Sequence, residues 1–213
     1  MLEWKQVTGK GKKFHLSDIS FTLEPGYLYG LMGRNGAGKT TLLRYMLERN
    51  SLYEGNILYN GRDIRKEHDW FLGQTGFISE ENSFFHLFTA RQNAEMMGPF
   101  YDTWEEKRFE AAMEQMGLNS DAVLGRLSRG ESIRFQLAFA YGHHAGIYLM
   151  DEATAGMDPV FRRDFFGMVR GLLAEEEAAV LMTTHLQSDV SRNMDYVGVM
   201  ENGKLEGFRE NVV

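Results

Sequence analysis

Gly33-Arg34-Asn35-Gly36-Ala37-Gly38-Lys39-Thr40 is the stretch whose reading decides the fold. It follows a short, mostly apolar run from Tyr27 to Met32. It leads directly into Thr40 to Arg49, where Leu42, Leu43, Met46 and Leu47 recur at helical spacing. Strand, glycine-rich turn and helix in that order turn a row of backbone N–H groups toward one point at a helix start, which attracts anions. The spacing fits G-x-x-x-x-G-K-[ST], in which the lysine reaches the β- and γ-phosphates of a nucleotide and the hydroxyl serves Mg²⁺. Lys39 and Thr40 are the residues for those roles. A plain turn with a solvated lysine is the competing reading, and the flanking strand and helix weigh against it. The loop alone does not name the reaction, because kinases, GTPases, helicases and transport ATPases all use it.

Upstream of the loop, Phe21-Thr22-Leu23 alternates and Pro25-Gly26 turns; downstream, Ile57 to Tyr59 with Asn60-Gly61 reads as a strand entering a hairpin. From about Thr89 to Tyr141 helical periodicity takes over. Phe109, Ala112, Met113 and Met116 mark one helix face, with Gly117 as a stop, and Ile133, Leu137, Ala140 and Tyr141 mark another. Strand and helix patterns then alternate: Ile147 to Met150, Phe161 to Leu173, Ala178 to Thr183, Val197 to Met200. Such alternation predicts parallel strands joined by helices.

A second chemical signal stands at the end of one of these strands. Ile147-Tyr148-Leu149-Met150-Asp151-Glu152 is four apolar residues closing on two acids, which places both carboxylates at the C-terminal edge where parallel sheets hold ligands. Asp151 suits a Mg²⁺ shell, commonly through water. Glu152 points elsewhere and suits accepting a proton from an attacking water, or orienting it.

Composition limits the remaining possibilities. With 213 residues, 43% of them apolar, the chain has material for a real core. It carries 23 basic and 30 acidic side chains, a formal charge of −7, which argues against a nucleic-acid binder held mainly by phosphate charge. The absence of cysteine removes any disulfide framework or thiolate metal site. His143-His144 lacks matching ligand spacing elsewhere, so no transition metal is assigned. Glu175 to Glu177 reads as a solvated helix end. No run reaches the length needed to span a bilayer, and the start lacks the apolar stretch of a secretion signal, so a cytosolic chain is expected.

Leu127-Ser128-Arg129-Gly130-Glu131 supplies a third motif, and with it the set resembles the nucleotide-binding subunit of ATP-binding cassette (ABC) transporters, whose signature is usually LSGGQ. Ser128 and Glu131 also make an S-x-x-E capping box before an apolar helical run; both readings can hold. Ala155-Gly156-Met157-Asp158 resembles the family's D-loop, and Thr183-Thr184-His185 ends a strand as its switch histidine does. The resemblance covers nearly the whole chain. It implies an α/β fold: a P-loop NTPase core of the ABC ATPase type with a mainly parallel sheet, a small N-terminal antiparallel β subdomain and an inserted helical subdomain. The expected division is a single domain over 1–213, with 1–82 and 145–213 as nucleotide-binding core and 83–144 as the helical subdomain. Little sequence follows Gly203-Lys204, which predicts a minimal cassette.

The resemblance further implies ATP and Mg²⁺ as ligands. Gly33, Arg34, Asn35, Gly36, Ala37, Gly38, Lys39, Thr40 and Thr41 would hold the phosphates; Ser128, Arg129, Gly130 and Glu131 would meet the nucleotide of a second subunit; Asp158 would couple the two sites. Glu152, His185 and Lys39 would act in catalysis, with His185 on the γ-phosphate, and Thr40, Glu80 and Asp151 at the metal. Three departures from the pattern stand out. Glu80 occupies a place where the family usually has glutamine, as in bacterial exporters linked to peptide-antibiotic resistance and immunity; a carboxylate there can reach Mg²⁺ or water, or be a surface acid beside Glu81. Arg129 replaces a signature glycine, adding a cation near the opposite phosphate, and Glu131 replaces the final glutamine. Simple alignment puts Lys10 where an aromatic stacks on adenine, which leaves Phe14 as the substitute. Ser83 to Phe88 fits either a groove for a membrane partner's helix or ordinary packing.

The function implied is an ATP-hydrolysing subunit of a membrane transporter, an exporter by the Glu80 analogy, paired with a second ATP-binding subunit and a separate permease at the inner face of the cell membrane. The alternative is a soluble switch of the same superfamily acting on ribosomes or DNA. Kinase or GTPase chemistry gives LSRGE and His185 no role. The cargo is not legible.

Overall fold

The computed structural model describes residues 1–10, 15–175 and 177–212. Strand β1 (Leu2–Gly9) pairs antiparallel with β2 (Ile19–Leu23) on one side. After β3 (Leu28–Met32) and helix α1 (Lys39–Leu47), the chain returns as β4 (Tyr53–Tyr59) on the other side of β1, and turns at Asn60-Gly61 into the two-residue β5 (Arg62–Asp63). The result is a four-stranded antiparallel sheet in the order β2-β1-β4-β5. Its burial alternates along β2, as a sheet with one wet face requires.

Helix α2 (His68–Gly73) leads into β6 (Thr75–Ser79), and the chain then turns helical through α3 (Ala90–Met97), α4 (Glu106–Gln115) and α5 (Arg129–Gly142). Two of these starts carry reciprocal capping boxes: Thr89 with Gln92 on α3, and Ser128 with Glu131 on α5. The last third alternates: β7 (Ile147–Asp151), α6 (Pro159–Glu175), β8 (Ala179–Thr184), α7 (Gln187–Asn193), β9 (Tyr196–Glu201), β10 (Lys204–Glu210). Proline opens α6 at a position whose N–H needs no partner, and Asp158 Oδ1 accepts from the N–H groups of Val160 and Phe161, 3.0 Å each.

The second sheet has six strands in the order β10-β9-β3-β8-β7-β6; only the β10–β9 pair is antiparallel. Its central strands are apolar on both faces because both are covered. Ile147, Leu149, Ala179 and Leu181 face the core shared with α1 and the antiparallel sheet. Tyr148, Met150, Val180 and Met182 face a core built with α4, α5 and α6. The sheet is thus sandwiched, and the edge where its parallel strands end lies open.

Candidate active site

Register brings the chemistry together. Ser79 pairs with Asp151, Asp151 with Thr183, and Thr183 with Leu31, so four neighbouring parallel strands finish at one level. The residues just beyond those ends are Glu80, Glu152, His185 and the loop beginning at Gly33. Gly36 and Gly38 take φ of 80° and 114°, which ordinary side chains rarely adopt, and this curls the loop onto the start of α1. Arg34, Asn35 and Gly36 stay exposed while Lys39 is buried beneath them.

Lys39 Nζ donates to Gly33 O at 2.7 Å and lies 3.3 Å from Glu152 Oε1. The other oxygen of the same carboxylate, Oε2, lies 2.7 Å from His185 Nδ1. Glu152 is therefore clasped between a lysine and a histidine. Its backbone has φ of 50°, a left-handed conformation that a non-glycine residue holds only where the surroundings impose it, and functional sites are where such strain collects. Thr40 Oγ1 donates to Asp151 Oδ2 at 2.8 Å, which sets a hydroxyl and a carboxylate side by side. That pair is a hard-oxygen donor set of the kind that would suit Mg²⁺. Among the described residues no cluster of three or more His, Asp or Glu side chains is placed to hold a metal ion.

Two open cavities meet at this edge. One, of about 630 Å³, runs from Arg34 and Asn35 past Thr41 to Glu152 and His185; the other, of about 370 Å³, lies beyond Thr40 and Asp151. Both volumes are within the range of small-ligand sites, roughly 300–1,000 Å³. Thr40, Glu80, Arg129 and Glu152 line both.

Lys39, Thr40, Glu80, Arg129, Asp151, Glu152 and His185 thus converge. Arg129 sits here within its own chain: Nη1 is 3.0 Å from Glu80 Oε2, and Nη2 donates to Glu152 O at 3.4 Å. The other signature and D-loop residues are engaged elsewhere. Ser128 Oγ accepts from Glu131 N at 3.3 Å, and Glu131 Oε2 accepts from Ser128 N at 2.8 Å; the Ser128 hydroxyl and then its backbone N–H, both bonding the Glu131 carboxyl, hold it below its usual pKa. Gly130 lies against Phe161, and a Cβ there would enter the ring. Asp158 caps α6. Phe14 lies outside the described residues.

Two contributors escaped the sequence reading. Thr183 Oγ1 donates to Asp151 Oδ1 at 2.5 Å and accepts from Glu152 N at 3.0 Å, so one hydroxyl fixes both acids. Gln136, buried in α5, grips the backbone of Ser79: Oε1 accepts from its N–H and Nε2 donates to its carbonyl, 3.0 Å each. A hydroxyl closing an apolar strand, and an amide in an apolar helix, are the only traces these leave in the sequence.

A family profile described as "ABC transporter" matches residues 16–155. The chain is 28% identical over 190 residues to the ABC transporter ATP-binding protein YtrB of Bacillus subtilis, covering 89% of this chain and 65% of that protein. It is 27% identical over 197 residues to the bacitracin transport ATP-binding protein BcrA of Bacillus licheniformis, covering 92% and 64%. The chain therefore spans just under two thirds of the length of these relatives. Its fold superposes with a TM-score of 0.85 on a dimeric ATP-binding cassette in a post-hydrolysis state with ADP and Pi, at 20% identity and full coverage of both chains.

Proposed function

The chain belongs to the ABC transporter family, and from that premise we propose that it is an ATP-binding and ATP-hydrolysing subunit that drives a separate permease. The observation that carries this reading is the shared carboxylate: Glu152 touches both Lys39 and His185 at the mouth of the phosphate loop, one residue after the acid bonded to Thr40. In the proposed cycle the loop amides and the α1 start take the phosphates, and Lys39 exchanges Glu152 for them. That exchange frees the Glu152 carboxylate to orient water and accept its proton, with His185 fixing the carboxylate's direction. Mg²⁺, held through Thr40 and Asp151 with Glu80 close by, would neutralise charge on the β- and γ-phosphates.

Two copies, or one with a related subunit, would close head to tail, with the start of α5 in each facing the nucleotide of the other; the dimeric cassette of the same fold supports this. Residues 83–144 would form the helical subdomain that carries the signature into that interface. Among the described residues no helix is long and apolar enough to cross a membrane, and relatives named as ATP-binding proteins support a separate permease. Exposed Phe85, Leu87 and Phe88 are where that chain would dock, at the cytoplasmic face of the membrane. Export is favoured by Glu80 and by relatives named for bacitracin transport and Nod factor export.

Glu152→Gln tests the assignment. The variant should still bind Mg·ATP and form an ATP-dependent dimer by size exclusion, while phosphate release falls by about 100-fold or more, the usual worth of a general base. Unchanged turnover would remove Glu152 from the chemistry.

A further inference from the structure

We propose that Arg129 acts within its own chain as a positioning residue for Glu80, cancelling that carboxylate's charge beside the phosphate loop and holding it where the two cavities meet. The inference rests on the ATP reading above and adds a role that the family pattern, with glycine and glutamine at these two places, does not supply.

The two positions at which the motifs depart from the pattern touch each other. Arg129 Nη1 is 3.0 Å from Glu80 Oε2, and the second arm of the guanidinium reaches the carbonyl of Glu152 at 3.4 Å. A planar fork with several donors can satisfy a carboxylate and a carbonyl together, which a lysine ammonium does less well. The backbone below is anchored to the same helix. Two turns further along α5, Gln136 holds both backbone groups of Ser79, so Glu80 leaves β6 from a point that α5 itself sets. Helix and strand end are therefore joined twice, once by an amide and once by charge.

The charge is needed because this edge is crowded with acid. Asp151, Glu152 and Glu80 all face the cavities, and the incoming triphosphate is anionic. Lys39 is already committed to Gly33 O and Glu152, and His185 to Glu152. Arg129 is the cation that meets Glu80. Without it the Glu80 carboxylate would repel the phosphates, or swing toward Lys39 and compete for it.

The test is equilibrium binding of a fluorescent Mg·ATP analogue to the full chain in four forms: wild type, Arg129→Ala, Glu80→Gln, and the double variant. Arg129→Ala should raise the Kd about three- to fivefold, the most that a half-exposed ion pair supplies. In the Glu80→Gln background the same change should cost less than about twofold, since the carboxylate that Arg129 pairs with is gone. Arg129→Lys should recover most of the loss, and the gap between wild type and Arg129→Ala should narrow in about 0.5 M salt. A structural role at the helix start would shift melting temperature without depending on residue 80. Equal losses in both backgrounds would overturn the pairing and leave the ATP reading standing; a wild type that binds no Mg·ATP would overturn both. Should the alanine variant lose its fold, Arg129→Gln in the two backgrounds carries the same comparison.

Discussion

At the scale of single residues the site is organised by sharing. Each oxygen of Glu152 has its own partner, and Thr183 serves two acids with one hydroxyl. Replacing that hydroxyl with a methyl keeps the shape and removes both bonds. Thr183→Val should lower kcat by roughly tenfold or more with a smaller change in KM, as loss of an outer partner of a metal-side carboxylate commonly does; steady-state phosphate release reads it. If Mg²⁺ serves as proposed, EDTA should end phosphate release and added Mg²⁺ should restore it, because Thr40 and Asp151 offer hard oxygen donors of the kind Mg²⁺ uses. Lys39, Thr40, Asp151 and Glu152 were legible in the sequence because each stands at a fixed offset from a strand end. Thr183 was not, because its role depends on pairing with Asp151 across the sheet.

At the scale of elements, α5 does two things at once. Its start is packed so closely on α6 that Gly130 leaves no room for a side chain against Phe161. Gly130→Ala should therefore destabilise the chain by about 1–3 kcal/mol, the usual penalty for overpacking. Urea unfolding measures this, and Phe161→Leu in the same chain should return part of it. The signature glycine thus has a packing reason within one molecule, beside any role at an interface. The far end of α5 carries His143, which is buried and stacked on Tyr101 with ring centroids 4.0 Å apart. Burial brings its pKa down from 6.5 to about 4. The folded chain keeps this ring neutral until about pH 4, whereas the unfolded chain protonates it below about 6.5. Its contribution is therefore complete above pH 6.5 and is lost as the pH falls toward 4, by about 3 kcal/mol in all. The urea midpoint followed over that range should show the slope, and His143→Phe should flatten it. The capping box at Ser128 makes the start of α5 readable from local sequence, whereas that at Thr89 emerged with the structure, and α2 and α7 are short and lack such signals.

For the whole molecule, the arrangement predicts association that follows the nucleotide. Light scattering on Glu152→Gln should report dimers with Mg·ATP and monomers with Mg·ADP, because in the proposed closure the γ-phosphate is the group that would meet the start of a second α5. Dimers of equal stability with either nucleotide would contradict the proposed closure.

What the sequence determined by itself were the features carried by short runs: the phosphate loop between strand and helix, the acids closing Ile147 to Met150, the cap at Ser128, and the alternation of apolar strands with helices that makes a parallel sheet. These depend on spacing along the chain, and spacing is printed in it. The meeting of Arg129 with Glu80 and Glu152 inside one chain, the service of Thr183 to two carboxylates, and the grip of Gln136 on Ser79 were decided by the tertiary structure alone. Each joins residues far apart in the chain through sheet register or helix packing, and whether two distant charges meet is a matter of how the layers stack.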